Sequence, residues 1–119
     1  MSRVLVVDDI PFIRSVILDI LIEANYNDNL EASDGARALA IYKESKPDVV
    51  LLDINMPILD GIEALKRIVK FDKEATIIMC SSLGDQESII KAISLGAKDF
   101  IVKPFRKERI VSAIKKALL

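Results

Sequence analysis

The chain contains no histidine and no tryptophan, and Cys80 is its sole cysteine. Without histidine there is no Ser/His or Cys/His nucleophile pair and no phosphohistidine carrier, and most zinc sites are excluded. A lone cysteine forms no internal disulfide, which is the cysteine usage of a cytoplasmic protein. No apolar run exceeds five residues, against the roughly 18 to 20 that a bilayer-crossing helix needs. Ser2 and Arg3 lead straight into Val4-Leu5-Val6-Val7. There is no h-region and no small-residue cleavage site, so no signal peptide and no membrane association are expected. Neither sign of charge dominates: 17 basic residues face 18 acidic ones, for a formal net charge of -1. A generally basic footprint for nucleic acid is therefore not expected. What remains is 119 residues, 51% apolar and 29% charged. That composition suits one globular domain over residues 1–119 and leaves no room for a second.

Charge is nonetheless uneven. Met1 to Asp34 carries seven acidic and two basic residues, and Lys103 to Leu119 carries six basic and one acidic. The basic tail reads either as a solvated helix face with cations near its C-terminus or as a docking surface for an acidic partner.

Short β-branched runs alternate with segments of helical period. Strands are predicted at Arg3–Val7, Asn27–Ala32, Asp48–Asp53, Ala75–Cys80 and Asp99–Val102. The second is weak, since Asn27-Asp28-Asn29 is poor strand sequence, and it is placed at an edge. Helices are predicted at Pro11–Ala24, from Gly35 to about Ser45, from about Gly61 to Phe71, at Asp85–Leu95 and at Arg106–Leu119. Pro11 suits a first turn. Phe12, Ile13, Val16, Ile17, Ile20, Leu21 and Ala24 form one broad apolar stripe on the first helix. Gly96 stops the fourth helix where a left-handed residue is wanted. Five βα units imply a parallel sheet with helices on both faces and right-handed crossovers.

Ligands of open parallel sheets bind beyond the carboxyl ends of the strands. There the first strand ends in Asp8 and Asp9, the third in Asp53, the fourth in Ser81 and Ser82, and the fifth in Lys103. Each has a bland explanation: capping for Asp8-Asp9, a turn for Asp53, a cap or satisfied core hydroxyl for Ser81, a structural ion pair with Asp53 for Lys103. Those explanations weaken jointly, because no structural need gathers three carboxylates whose charges oppose one another. A hard divalent cation resolves the conflict, and oxygen-only ligands with space for water suit Mg²⁺. Carboxylates, a metal, a lysine and a hydroxyl without a histidine base point to phosphoryl transfer, which needs positioning and charge neutralisation above proton chemistry. A carboxylate can itself be the nucleophile. Asp53 is the candidate, from a central strand; Asp9, with Asp8 behind it, would hold the metal, and Lys103 and Ser81 would take phosphoryl oxygens.

These residues carry a resemblance. Val6-Val7-Asp8-Asp9 with Arg14, Leu52-Asp53 followed by Met56-Pro57 and Asp60-Gly61, Ser81, Gly96-Ala97, and Phe100-Ile101-Val102-Lys103-Pro104-Phe105 resemble the response-regulator receiver domains. Within that family they resemble the single-domain chemotaxis regulators. The pieces run in order along the whole chain and are jointly very specific. The resemblance implies a flavodoxin-like (βα)5 doubly wound sandwich with strand order 2-1-3-4-5, an order taken from the family. It implies Asp53 as phosphoacceptor, Mg²⁺ held by Asp8, Asp9, Asp53 and the backbone carbonyl of Asn55, and Lys103 and Ser81 on the phosphoryl group. It implies Phe100 as the aromatic switch residue and a cis Lys103-Pro104 bond. The donor would be a sensor histidine kinase or a small acyl phosphate, and the protein would catalyse only its own phosphorylation and slower dephosphorylation. Phe100 replaces the tyrosine of the best-known members and lacks its hydroxyl. Asn55 and Leu83 occupy positions where the family tunes hydrolysis, and a leucine there is expected to shield the phosphoryl group from water.

Phe100 and Val102 share one face of the last strand. With Ile89, Ile93 and the basic last helix they form the expected output surface; the alternative is that both isoleucines are core. Output is expected through a downstream protein such as a motility-motor component, from a monomer, with no direct contact to nucleic acid. A phosphorelay carrier and a receiver excised from a larger regulator are the alternatives. A Mg²⁺ phosphatase would want an Asp-x-Asp pair, and adjacent Asp8 and Asp9 cannot both point one way along an extended chain. A nucleotide- or flavin-binding module would want a glycine-rich phosphate loop after the first strand, and none is present. A receiver that works without phosphate is opposed by the complete set Asp8, Asp9, Asp53, Ser81 and Lys103.

Overall fold

The aliphatic runs become strands and the periodic segments between them become helices, in strict alternation. The computed structural model describes residues 2–82 and 84–119, so the expectation for Leu83 falls outside the described residues. The elements are β1 (Arg3–Val7), α1 (Pro11–Glu23), β2 (Asp28–Ala32), α2 (Gly35–Ser45), β3 (Val49–Asp53), α3 (Gly61–Phe71), β4 (Ile77–Ser82), α4 (Gln86–Ser94), β5 (Asp99–Lys103) and α5 (Lys107–Ala117). The five strands form one sheet in the order β2-β1-β3-β4-β5, and every pairing is parallel. The expected doubly wound topology is therefore present, with β2 at an edge.

The period of two sorts each strand's side chains to opposite faces. Leu5, Val7, Val50, Leu52, Ile77 and Met79 pack with Ala38, Tyr42, Ala64, Leu65 and Ile68 of α2 and α3. Val4, Val6, Val49, Leu51, Ile78 and Ile101 pack on the other face with Ile17, Leu21, Ile110 and Ile114 of α1 and α5. Each fully buried aliphatic side chain contributes about 1.5 to 3 kcal/mol. The two layers thus clamp the sheet and fix the carboxyl edge on which the site is built.

Caps set the helix starts. Asp34 accepts a hydrogen bond from the Arg37 N–H at 2.8 Å, and Asp60 accepts one from the Glu63 N–H at 2.9 Å. α4 ends in a Schellman turn: the Gly96 N–H donates to the Ile93 carbonyl at 3.1 Å and the Ala97 N–H to the Ala92 carbonyl at 3.0 Å. Gly96 has φ +117°, the left-handed backbone the sequence called for. At Gly61 a side chain would collide with the Asp53 carbonyl oxygen, so glycine alone lets α3 start against the site strand.

Three expectations need correction. The fourth strand is Ile77–Ser82, not Ala75–Cys80. The apolar run stops at Cys80 but the ladder continues, because Ser81 pairs with Val102 and Ser82 with Lys103. At its start, the Ala75 N–H is spent in a turn on the Asp72 carbonyl at 3.1 Å. On α1 the stripe is narrower than expected: only Ile17 and Leu21 are buried, and Phe12 is 72% exposed. Phe12 sits in the first turn of α1, whose buried contacts begin at Ile17. The last helix is shorter by its flanking residues, with Arg106 and Leu118 as caps. The Lys103-Pro104 bond is cis, as the resemblance implied.

Candidate functional site

Asp8 directly follows β1, Asp53 is the last residue of β3, Ser81 lies in β4 and Lys103 closes β5. All four meet at the carboxyl edge. Asp8 is 1% exposed, Asp53 5% and Ser81 0%, whereas Asp9 is exposed. Carboxylate oxygens of Asp8, Asp9 and Asp53 lie within 4.8 Å of one another. The Lys103 ammonium bridges two of them, at 3.0 Å from Asp8 Oδ2 and 3.2 Å from Asp53 Oδ1. The ion pair with Asp53 that was weighed as a bland explanation is real, and it extends to Asp8. It does not dissolve the acidic cluster, since three carboxylates still face one lysine.

The other bland explanations fail. Asp8 does not cap α1, whose N-cap is Ile10 with no side-chain cap; its Oδ1 accepts from the Ile10 N–H at 2.9 Å instead. Asp53 sits at the buried end of a central strand. The Ser81 hydroxyl is buried without a hydrogen-bond partner among the described residues. A buried hydroxyl left unpaired costs about 1 to 3 kcal/mol, which does not fit a satisfied core hydroxyl.

Burial pushes the Asp53 carboxyl above its ordinary pKa, and the Asp8 charge pushes the same way; Lys103 and the Asn55 N–H pull back without cancelling the rise. Burial pulls Lys103 downward, but its hydrogen bond to Asp8 and the charges of Asp53 and Asp8 outweigh it, so its pKa is raised and the ammonium stays charged. Cys80, paired with Asp53 in the ladder, is held neutral: burial pushes its thiol up to about 12. It is no nucleophile here.

The donor set fits a hard divalent cation. It is oxygen only, two carboxylates are fixed by burial, and the third is open to solvent and leaves room for water. Asn55 is exposed two residues beyond Asp53.

The expected output residues also converge. Ile89, Ile93, Phe100 and Val102 line one groove of about 550 Å³ together with Ile90. The isoleucines are not core: Ile93 is 44% exposed and Ile89 half-buried, and the only buried residue of α4 is Ala92. Phe100 is turned outward, 37% exposed. Ile90, 69% exposed, escaped the sequence reading although it lies between the two isoleucines that did not. Arg14 carried no assigned role in the sequence; its Nη1 donates to the Asp8 carbonyl at 2.7 Å and its Nε to Glu31 at 2.9 Å.

Fold and site together define a doubly wound α/β domain with an acidic, lysine-bridged pocket at its carboxyl edge. The family model described as response regulator receiver domain matches residues 4–115, and the chain belongs to that family, the phosphorylation-dependent signalling modules of two-component systems. It is 52% identical over 116 residues to the chemotaxis protein CheY of Bacillus subtilis, covering 98% of this chain and 97% of that one. It is 51% identical over 115 residues to CheY of Thermotoga maritima, covering 97% and 96%. Among solved structures, the CheX-CheY-BeF3-Mg complex of Borrelia burgdorferi superimposes with a TM-score of 0.94 at 36% identity, over 99% of this chain and 90% of that one. The chain is thus a signalling receiver and not a member of a classical enzyme family. No helix is long and apolar enough to cross a membrane among the described residues.

Proposed function

We propose that this chain is a cytoplasmic chemotaxis switch that accepts a phosphoryl group on Asp53 and then binds a downstream protein. The observation that carries the reading is the meeting of Asp8, Asp9 and Asp53 within 4.8 Å, with Lys103 bridging two of them. The match to two chemotaxis proteins, at 52% and 51% identity, supports the chemotaxis assignment.

A sensor kinase presents its phosphohistidine at the carboxyl edge. An Asp53 oxygen attacks phosphorus, the P–N bond breaks with its electron pair going to the imidazole, and the ring nitrogen takes a proton from solvent. The product is an aspartyl phosphate. Asp8, Asp9, Asp53 and the Asn55 carbonyl would hold Mg²⁺, which would supply charge neutralisation for the phosphoryl oxygens. Lys103 leaves its carboxylate partners for one phosphoryl oxygen. Ser81 donates its unpaired hydroxyl to another. Movement of Ser81 opens space for Phe100 to turn inward, and its ring leaves the groove formed with Ile89, Ile90, Ile93 and Val102. The groove is then reshaped for its target. The chain catalyses only its own phosphorylation and dephosphorylation, in line with the absence of any histidine base.

The test is intact mass after incubation with acetyl phosphate, with and without Mg²⁺, on wild type and Asp53→Asn. One added phosphoryl group that requires both Mg²⁺ and Asp53 is expected. An adduct that survives Asp53→Asn moves the acceptor elsewhere; no adduct from acetyl phosphate or from a histidine kinase removes the switch.

A further inference from the structure

Asp8 and Asp9 are adjacent, and adjacent side chains of an extended chain point to opposite faces. For both carboxylates to come within 4.8 Å of each other and of Asp53, the backbone must leave the extended conformation there and stay bent. Three hydrogen bonds hold that bend. The Asp8 N–H donates to the Ala32 carbonyl at 3.2 Å, tying the turn to β2. The Ile10 N–H closes it locally on Asp8 Oδ1 at 2.9 Å. The third comes from outside the turn: Arg14 Nη1 donates to the Asp8 carbonyl oxygen at 2.7 Å. Arg14 is itself fixed, because its side chain is only 16% exposed and its Nε donates to Glu31 of β2 at 2.9 Å. The guanidinium fork therefore joins α1, β2 and the Asp8-Asp9 turn, a task for planar geometry that a single ammonium performs only in part.

We propose that Arg14 is a positioning residue for the metal site: it holds the Asp8-Asp9 turn in the bent form that lets both carboxylates ligate one divalent cation. This rests on the reading that Asp8 and Asp9 hold Mg²⁺. The sign of the effect separates positioning from charge. Arg14 is a cation beside a cation site, so on charge alone its removal relieves repulsion and tightens Mg²⁺ binding. Loss of positioning weakens it. Residues that orient metal ligands typically contribute about 10- to 100-fold in affinity. The turn keeps two of its three bonds, so the low end applies.

The experiment is a MgCl₂ titration of the full chain, followed by the backbone amide NMR signals of Asp9 and Ile10, for wild type, Arg14→Met and Arg14→Lys. Urea unfolding in EDTA is measured in parallel. Arg14→Met is expected to raise the Mg²⁺ Kd about tenfold, and Arg14→Lys to recover part of that loss. Arg14→Lys keeps the charge, so any weakening it shows is geometric; it also carries the test alone if Arg14→Met does not fold. Unchanged or tighter Mg²⁺ binding in a folded Arg14→Met overturns the proposal while leaving the switch intact, as does wild-type affinity in Arg14→Lys when Arg14→Met is unfolded. A wild-type chain that binds no Mg²⁺ overturns both.

Discussion

Lys103→Met tests how the site is held together before any phosphoryl group arrives. The methionine keeps most of the aliphatic stem and removes only the ammonium. That ammonium lies 3.0 Å from Asp8 Oδ2 and 3.2 Å from Asp53 Oδ1. Each attraction amounts to about 5 kcal/mol at an effective dielectric of about 20. Desolvation offsets much of this, and removal of one partner from a buried pair costs about 3 to 5 kcal/mol. The Lys103 side chain keeps 24% exposure, so the low end, about 3 kcal/mol, is expected at pH 7 in EDTA. That is a large share of the roughly 5 to 15 kcal/mol typical of a domain. Two conditions should shrink it. Protonation is one: without Lys103 the buried Asp53 carboxyl loses its main stabilising cation, so the folded variant binds a proton more readily than the unfolded chain, and the deficit falls as pH drops. The other is Mg²⁺, which at a hundredfold excess over its Kd contributes about 2.7 kcal/mol and binds the variant more tightly because no lysine competes for Asp8 and Asp53. The assay is urea unfolding followed by circular dichroism, at pH 5 to 8, in EDTA and in MgCl₂. A deficit under about 1 kcal/mol in EDTA, the ceiling for an exposed pair, or one that MgCl₂ leaves unchanged, refutes the reasoning.

Ser81→Ala removes a buried hydroxyl that has no partner among the described residues, so the unphosphorylated fold should be unchanged or gain up to about 1 kcal/mol. The same variant should lose the change in Phe100 environment on adding beryllium fluoride and Mg²⁺, read by NMR; a stability loss of several kcal/mol would show that the hydroxyl was satisfied after all. Ile58 has φ +68° and is 83% exposed in the loop beyond the site. A β-branched residue there bears a left-handed penalty of about 1 to 2 kcal/mol, so Ile58→Asn should stabilise by about 1 kcal/mol and raise Tm; an unchanged or lower Tm counts against this. Burial holds the Cys80 thiol neutral up to about 12, against 9.0 ordinarily. Between those values the unfolded chain has released a proton that the folded one keeps, so stability falls as pH rises. Lys103, raised above 10.5, keeps its stabilisation below that pH and loses it as pH climbs through its higher folded value. Cys80→Ala should flatten the decline of the urea midpoint above pH 9; parallel slopes for the two proteins would remove the thiol from the account.

The sequence alone determined which residues could reach the carboxyl edge. The runs Val4–Val7, Val49–Leu52 and Ile77–Cys80 are local signals, readable because a buried parallel strand is apolar on both faces. The residue after each run then lands at the same edge in any doubly wound sheet. That is why Asp8, Asp9, Asp53, Ser81 and Lys103 could be named before any contact was known. Tertiary structure decided what those residues do to one another. Lys103 meets Asp8 across 95 positions of sequence, and no local pattern reports a contact that long. The extension of β4 through Ser82 came from pairing with β5, which outweighed the end of the apolar run. Phe12 was placed on the apolar stripe but lies in the first turn of α1 and is 72% exposed, so period without position misplaced it. The outward ring of Phe100, the orphaned hydroxyl of Ser81 and the Arg14 fork depend on which neighbour fills a given space. Close packing across elements settles that, and spacing along one chain does not record it.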